Sequence, residues 1–128
     1  MTRLDYQVDF NWGFGPPAEG LPADHFSVRW RGWLVAPKKG KYTLIVHADD
    51  GCRLIIDKRV EIDAWNRLGR HTKEVLLDDK PHLLQIEHHE GLGTAMMYFG
   101  WVPEGGAEQA VPMEALYHDA DQEKLLPP

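Results

Sequence analysis

Two apolar strands separated by two adjacent carboxylates and a glycine are the feature that most limits what this chain can fold into. Residues 42–48 predict a strand, Asp49, Asp50 and Gly51 follow, and residues 52–57 are again mainly apolar. Like charges this close repel each other. Either the pair therefore serves a turn and stays in water, or a cation neutralises both. In the turn interpretation the carboxylates accept from backbone amides and Gly51 takes a positive φ.

The rest of the chain repeats this pattern of short strands and turns. From Phe26 apolar and polar residues alternate with a period of two, and Gly32 suggests a bulge in that strand. Further strands are predicted at residues 73–77, 82–89 and 95–101. Residues 111–117 predict one helical turn followed by a last strand. The pattern indicates an all-β fold, an antiparallel sandwich or barrel, after an irregular N-terminal lead-in rich in Gly and Pro.

Length and composition limit the classes of protein to which this chain can belong. The chain has 128 residues, of which 43% are hydrophobic and five are tryptophan, enough for one domain with its own core. We expect that domain over residues 1–118, with a flexible tail over residues 119–128. The net charge of −6 argues against a nucleic-acid surface. No apolar stretch is long enough for membrane insertion, and residues 1–5 are too polar for a signal peptide.

Signatures of catalysis and of zinc binding are weak. The chain has no nucleophile-elbow motif and no phosphate-cradling glycine loop. His88 and His89 are adjacent in a strand and face opposite sides, so they are poorly placed to share one metal, and His88 is expected to be inward and hydrogen-bonded. Cys52 is expected to be a buried, inert thiol. Glycoside hydrolysis by Asp49 and Glu90 is the remaining enzymatic alternative, which a small sandwich without an evident deep cleft disfavours.

An ordered series of segments resembles the protective-antigen-type domain, a lectin-like β-sandwich also called the PA-14 family. The matching segments are residues 26–32, 37–43, 49–57, 62–65, 88–95, 99–101 and 111–117. The resemblance implies an antiparallel two-sheet β-sandwich with loops gathered at one end. Members of the family include fungal adhesins that bind glycans through calcium, glycosidase modules and toxin segments, so the fold alone does not fix the function.

The resemblance also implies a set of metal ligands. In the glycan-binding adhesins, two adjacent aspartates joined by a cis peptide hold calcium, and Asp49 and Asp50 match that pair. A further ligand in those adhesins, an asparagine from a late loop, is replaced in this chain by Glu90. Backbone carbonyls of residues 91–94, that of Leu92 among them, are expected to complete the about six to eight oxygens that calcium takes.

Glycan contacts are expected from loops near the same end. Trp65 is expected to stack on a sugar face, or alternatively to cap the edge of the sandwich, and Asn66, Arg67 and Thr94 are expected to add polar contacts. The chain is therefore predicted to be a non-catalytic carbohydrate-binding module of a larger extracellular or cell-envelope protein. Its predicted partner is a glycan or cell-wall polysaccharide. The alternative is a structural or protein-interaction module that has lost the glycan site.

Overall fold

The computed structural model describes residues 7–13, 26–67, 69–90 and 95–117. These residues form ten β-strands and one short 3-10 turn, Met113–Ala115. The strands are β1 (Asp9–Gly13), β2 (Phe26–Leu34), β3 (Gly40–Asp49), β4 (Gly51–Ile56), β5 (Arg59–Ala64), β6 (Gly69–Leu77), β7 (His82–Glu90), β8 (Ala95–Pro103), β9 (Gln109–Ala110) and β10 (Leu116–Tyr117). Within these ranges, no helix has the length and apolarity that crossing a bilayer requires.

The strands pair antiparallel in two five-stranded sheets. The first sheet has the order β1-β8-β3-β6, and β9 also pairs with β8. The second sheet has the order β10-β2-β7-β4-β5. The two sheets pack face to face around one core, which is the arrangement of a β-sandwich. The predicted all-β, lectin-like sandwich is confirmed.

Strand β3 shows why this sequence forms two packed sheets. Tyr42, Leu44, Val46 and Ala48 recur every second residue and are all buried in the core between the sheets. Ile45 points to the other face of the same strand and is also completely buried. One face of β3 therefore belongs to the core, while the other face is buried at Ile45.

The core is built by large side chains from both sheets. Phe99 and Trp101 of β8 are fully buried, and the Trp101 ring lies 4.7 Å from the ring of Tyr42 between centroids. Leu54 and Ile86 contribute from the second sheet and are also fully buried. Burying one such side chain contributes about 1.5–3 kcal/mol relative to leaving it exposed. These side chains therefore provide much of the packing that holds the two sheets together, with additional core residues such as Ala36 and Val111 from the connecting segments.

The register places the β3–β4 and β5–β6 connections, which cross between the two sheets, at the same end of the sandwich. Strands β1, β3, β5 and β7 end there, and β2, β4, β6 and β8 begin there. Asp50 alone separates β3 from β4, so the two sheets meet at this corner. We call this end the tip and define it by residues 49–51, residues 64–67 and the C-terminal end of β7.

Four details of the sequence interpretation are wrong. Residues 9–13 fall within the predicted irregular lead-in but form strand β1, which pairs with β8. Strand β2 keeps a regular register with β7 through Gly32, which is buried, so β2 has no bulge there. Strand β6 begins at Gly69, earlier than predicted, because residues 69–72 pair with the end of β3. Gly51 does not have the positive φ of a turn glycine, since among the described glycines only Gly69 and Gly105 do.

Two turns at the opposite end agree with the sequence. Asp57 and Lys58 form the two-residue turn between β4 and β5, with φ of 52° and 67°. Positive φ at both central residues suits the right-handed twist of a hairpin. The helical turn at residues 113–115 leads directly into β10, as predicted. This end of the sandwich is thus fixed by short connections.

Candidate functional site at the tip

The acidic corner is held by its backbone. Nε2 of His88 donates a hydrogen bond to the carbonyl oxygen of Asp49 at 2.7 Å. The backbone N–H of Asp50 donates to the carbonyl oxygen of His89 at 3.1 Å. The peptide bond between the two aspartates is cis, as the family resemblance implies. Both aspartates are half-buried, so the corner belongs to the folded body of the domain.

His88 is the buried polar residue of this region. Its side chain is completely buried and faces inward, as the sequence predicted, and its ring stacks on Trp30 with 6.5 Å between centroids. Burial is the main reason that the pKa of His88 lies below its ordinary value, although the hydrogen bond to Asp49 opposes the shift. A lowered pKa keeps the imidazole neutral near pH 7. A neutral ring protonated at Nε2 is the form that can donate to the Asp49 carbonyl.

The connection between β5 and β6 brings Trp65 to the same corner. Nε2 of His89 makes a short hydrogen bond to the carbonyl oxygen of Trp65, and the two rings lie 4.4 Å apart between centroids. The guanidinium carbon of Arg53 lies 4.3 Å from the centroid of the Trp65 ring, within the range of a cation–π contact. Trp65 is half-buried. Its ring is therefore already in contact with two side chains of the second sheet.

Backbone and side-chain bonds shape the rest of this loop. The N–H of Trp65 donates to a carboxylate oxygen of Asp63 at 3.3 Å, and the N–H of Arg67 donates to the carbonyl of Ala64 at 3.1 Å. The Arg67 guanidinium returns to the carbonyl of Asp63 at 3.2 Å. Asn66 and Arg67 are exposed. The loop is a compact turn that presents polar side chains to solvent.

Gly51 makes room for this loop. A β-carbon at position 51 would stand 2.0 Å from the carbonyl oxygen of Trp65 and 2.8 Å from that of Ala64. Contacts this short do not occur between real atoms, so the loop backbone lies directly against the start of β4. The glycine of the Asp-Asp-Gly sequence therefore serves a close backbone approach, which corrects the turn interpretation of Gly51.

Five of the predicted site residues lie together at the tip. The described residues Asp49, Asp50, Trp65, Asn66 and Arg67 are brought together at the tip. Glu90 is the last residue of β7 and so also reaches the tip, but its side chain lies outside the described part of the structure. Leu92 and Thr94 lie outside the described residues altogether.

Asp49 and Asp50 are the candidate metal ligands of the tip. Two adjacent carboxylates with fixed backbones provide hard oxygen atoms, which are the ligands that calcium prefers. Across the described ranges, no group of three or more His, Cys, Asp and Glu side chains is arranged to hold a metal. Asp49 and Asp50 alone are therefore too few for the about six to eight oxygens that calcium takes, and a calcium site here would need further oxygens from residues 90–94.

The sequence interpretation missed Arg53 and His89. Both lie on outward positions of neighbouring strands, and both contact Trp65, which is distant from His89 along the chain. The adjacent histidines indicated that one of them faces outward, but no sequence pattern pairs that residue with the β5–β6 connection. Their roles depend on strand register, which the sequence did not supply.

The chain is similar to a known domain family and to a longer bacterial protein. The family model of the PA14 domain matches residues 2–115. The anti-sigma-I factor RsgI3 of Acetivibrio thermocellus is 29% identical over 120 residues, which are 91% of this chain and 19% of that protein. The chain therefore spans about one fifth of that curated relative.

Solved structures with a similar fold include proteins of the same two kinds. An anti-sigma factor domain-containing protein from Clostridium clariflavum superposes with a TM-score of 0.85 at 29% identity, covering 91% of this chain and 41% of that chain. The PA14 sugar-binding domain from an RTX adhesin superposes with a TM-score of 0.64 at 23% identity, covering 80% of this chain and 59% of that chain. The second likeness concerns the fold alone. Since the family model covers nearly the whole chain and the sandwich agrees with it, this chain belongs to the PA14 domain family.

Proposed function

We propose that this chain is a non-catalytic carbohydrate-binding module that takes a glycan at the tip, with calcium held by Asp49 and Asp50. The observation that carries the proposal is the meeting of the acidic corner and the Trp65 loop on one residue, His89. A lectin site needs a charged or polar anchor beside a surface that can contact a sugar ring. The tip combines both on a rigid scaffold.

Calcium suits the acidic corner because calcium prefers carboxylate and carbonyl oxygens as ligands. Asp49 and Asp50 supply carboxylates, while Glu90 and backbone carbonyls of residues 91–94, including Leu92, would complete the shell of about six to eight oxygens. Positions left open on a bound ion are where vicinal sugar hydroxyls would coordinate. The hydrogen bonds from β7, one from the His88 side chain to Asp49 and one between the backbones of Asp50 and His89, would keep the corner in place before and after the ion binds.

The residues around the anchor would recognise the sugar. The exposed Asn66 and Arg67 offer hydrogen-bond donors beside the corner, and Thr94 is expected to add a hydroxyl. The uncovered part of the Trp65 indole would pack on the apolar C–H face of a sugar ring. Such shallow sites bind weakly, and several copies on one surface would act together by avidity.

The chain would act as one part of a longer protein. Its relative from Acetivibrio thermocellus is named an anti-sigma factor and is about five times longer than the matched segment. We infer that the module faces outward from the cell envelope and binds cell-wall polysaccharide or another glycan for the protein that carries it. The acidic net charge of −6 suits this better than contact with nucleic acid.

The first experiment measures calcium and glycan binding in one pair of variants. Calorimetric titration with calcium, with and without chelator, is compared for the wild type and for Asp49→Asn with Asp50→Asn. We expect the heat of binding and calcium-dependent retention on a glycan array to disappear in this variant. The matched control is Asp79→Asn with Glu114→Gln, which removes two exposed carboxylates at the opposite end. Wild-type protein that binds no calcium, or equal glycan retention by all three proteins, contradicts the proposal.

One observation favours a second candidate, a structural or protein-interaction module. The Trp65 ring already contacts Arg53 and His89, which reduces the indole surface that a sugar can use. This candidate predicts no change in melting temperature when millimolar calcium is added. A clear calcium-dependent rise would reject it, because a ligand that binds only the native state stabilises that state.

A further inference from the structure

We propose that His89 is the positioning residue of the tip, which couples the acidic corner to the Trp65 loop. The inference deepens the proposed function and rests on it where it concerns calcium. It goes further because His89 supplies neither a metal ligand nor a sugar contact in that proposal. Its role would be to fix the distance and orientation between the two parts of the site.

Three contacts meet on this one residue. The carbonyl oxygen of His89 accepts the backbone N–H of Asp50 at 3.1 Å. Its Nε2 donates to the carbonyl oxygen of Trp65, since a carbonyl can only accept. Its ring packs on the indole of Trp65 with 4.4 Å between centroids. The backbone of His89 therefore holds the corner, while its side chain holds the loop.

The strand register explains how one residue reaches both. Gly51 pairs with His89 across β4 and β7, and the missing β-carbon of Gly51 lets the Trp65 carbonyl approach the sheet surface. The preceding residue, His88, faces the core and donates to the carbonyl oxygen of Asp49 at 2.7 Å. Two successive residues of β7 thus hold the corner, His88 through its side chain on the core face and His89 through its backbone carbonyl.

The other end of the loop is tied to the first sheet. Nε2 of His71, on β6, lies 3.1 Å from the carbonyl oxygen of Arg67. The loop that crosses between the sheets is therefore held by an imidazole from each sheet. Of the two, His71 bonds at an exposed position, whereas the His89 bond is partly buried and supported by ring packing. We therefore assign the main positioning role to His89.

Two substitutions separate the hydrogen bond from the packing. His89→Phe keeps an aromatic ring against Trp65 but removes the donor, whereas His89→Gln keeps a donor of similar reach and removes the ring. Backbone pairing of position 89 with Asp50 and Gly51 remains available in both. His47→Phe is the control, because His47 lies on β3 and its side chain makes no hydrogen bond or ion pair within the described residues.

The first readout needs neither calcium nor glycan. The indole resonance of Trp65, assigned with Trp65→Phe, and hydrogen exchange of the Trp65 and Arg67 amides are measured in metal-free protein. In His89→Phe we expect a shifted indole resonance and amide exchange about tenfold faster, as loss of one hydrogen bond permits. In His89→Gln exchange should return to within about threefold of the wild type, because the donor is restored. Unchanged exchange and an unchanged indole in His89→Phe overturn the proposal.

The second readout tests the coupling with the calcium ion as the probe. Calcium should move the Trp65 indole resonance in the wild type and in His89→Gln. In His89→Phe calcium affinity should stay within about threefold, because the backbone bond to Asp50 survives, but the indole response should be lost. A full indole response in His89→Phe contradicts the coupling. If the wild type binds no calcium, the proposed function fails, and the metal-free exchange rates still decide whether His89 holds the loop.

Discussion

The carbonyl oxygen of Trp65 lies so close to Gly51 that a β-carbon on Gly51 would stand 2.0 Å away. The neighbouring carbonyl carbon would be 2.6 Å away. Both are backbone atoms, which cannot swing aside as the end of a flexible side chain can. The tip therefore depends on glycine at this position for space, and any larger residue would push the loop away from β4.

Replacement of Gly51 by alanine should move the Trp65 loop and weaken the fold. Inserting a methyl group into a packed region with no room typically costs about 1–3 kcal/mol. We expect Gly51→Ala to lower the free energy of unfolding by an amount in that range. Equilibrium unfolding in urea, followed by circular dichroism, measures the change.

The matched control is Gly40→Ala at the start of β3. There the added β-carbon would meet a carboxylate oxygen of Glu104 at 3.5 Å, an ordinary contact distance. The free energy of unfolding should change by less than about 0.5 kcal/mol, as is usual for surface substitutions. Equal losses in the two variants would show that glycine itself, and not the close approach, matters at position 51.

The thiol of Cys52 should be unreactive in the folded protein. The side chain is completely buried in the core, and burial, with a smaller contribution from Asp63, raises the pKa of Cys52 to about 12. Because the thiolate is the reactive form, a thiol reagent should modify Cys52 only as fast as the domain opens. Absorbance measurements with a disulfide reagent, with and without denaturant, check this. Rapid labelling of native protein would contradict it.

Much of the fold was predictable because alternation fixes which face of a strand is buried. Tyr42, Leu44, Val46 and Ala48 recur at the spacing that a half-buried strand requires, and all four are core residues. Turn chemistry also marked the ends of most strands. The tail over residues 119–128, the loop over residues 91–94 and most of the lead-in lie outside the described residues, so the predictions made for them stay predictions. Residues 9–13 of the lead-in form β1, because they pair with β8, which the local sequence does not reveal.

The candidate site was only partly predictable because its contacts join distant segments. The doubled aspartate marks the corner in the sequence, and its cis peptide agrees with the family resemblance. By contrast, the packing of His89 on Trp65 follows from the pairing of β7 with β4 and from the path of the β5–β6 loop. Neither can be derived from local patterns, since register depends on long-range pairing.

The burial of Ile45 also depends on residues that are distant in the sequence. Ile45 is completely buried although it lies on the face of the first sheet that points away from the core. The Tyr98 ring lies over Gly100, where a β-carbon would meet the phenol oxygen at 2.2 Å, and Gly100 is the β8 residue that pairs with Ile45. The Tyr98 hydroxyl donates to Glu108 at 3.3 Å, and Glu108 also pairs with Arg70. A polar cluster therefore holds an aromatic cover over an apolar side chain.

Removing the Glu108 charge should lower the pKa of Tyr98. Burial raises the pKa of Tyr98 above its ordinary value of 10.0, and the charge and hydrogen bond of Glu108 raise it further. In Glu108→Gln the phenol should therefore ionise at lower pH. An NMR titration of protein labelled with ¹³C at the tyrosine ring, with Tyr98→Phe for assignment, measures the midpoint. Glu104→Gln changes the charge of the same turn and should leave the midpoint unchanged; an equal shift there would rule out a specific effect of Glu108.

Stability should depend on pH through His82, at the end opposite the tip. Its Nδ1 lies 2.6 Å from a carboxylate oxygen of Asp57 and its Nε2 lies 2.7 Å from one of Asp78. Both nitrogens donate only in the imidazolium form. Burial lowers the pKa of His82, but the bonds to Asp57 and Asp78 outweigh it and raise the pKa above the ordinary 6.5. The stabilisation from His82 should therefore be complete below pH 6.5 and lost as pH rises through the raised pKa.

At acidic pH the interaction between His82 and Asp78 should weaken because Asp78 becomes protonated. The hydrogen bond from the Lys80 backbone, followed by that from His82, lowers the pKa of Asp78 below the ordinary 3.8. Its contribution is present above pH 3.8 and is lost as pH falls through the lowered pKa. The experiment compares the urea midpoints of the wild type and His82→Gln from about pH 4 to about pH 9. The difference should be largest between pH 3.8 and pH 6.5, the ordinary pKa values of Asp78 and His82, and should shrink above pH 6.5. A difference that stays constant into alkaline pH would mean that the charge of His82 does not stabilise this end.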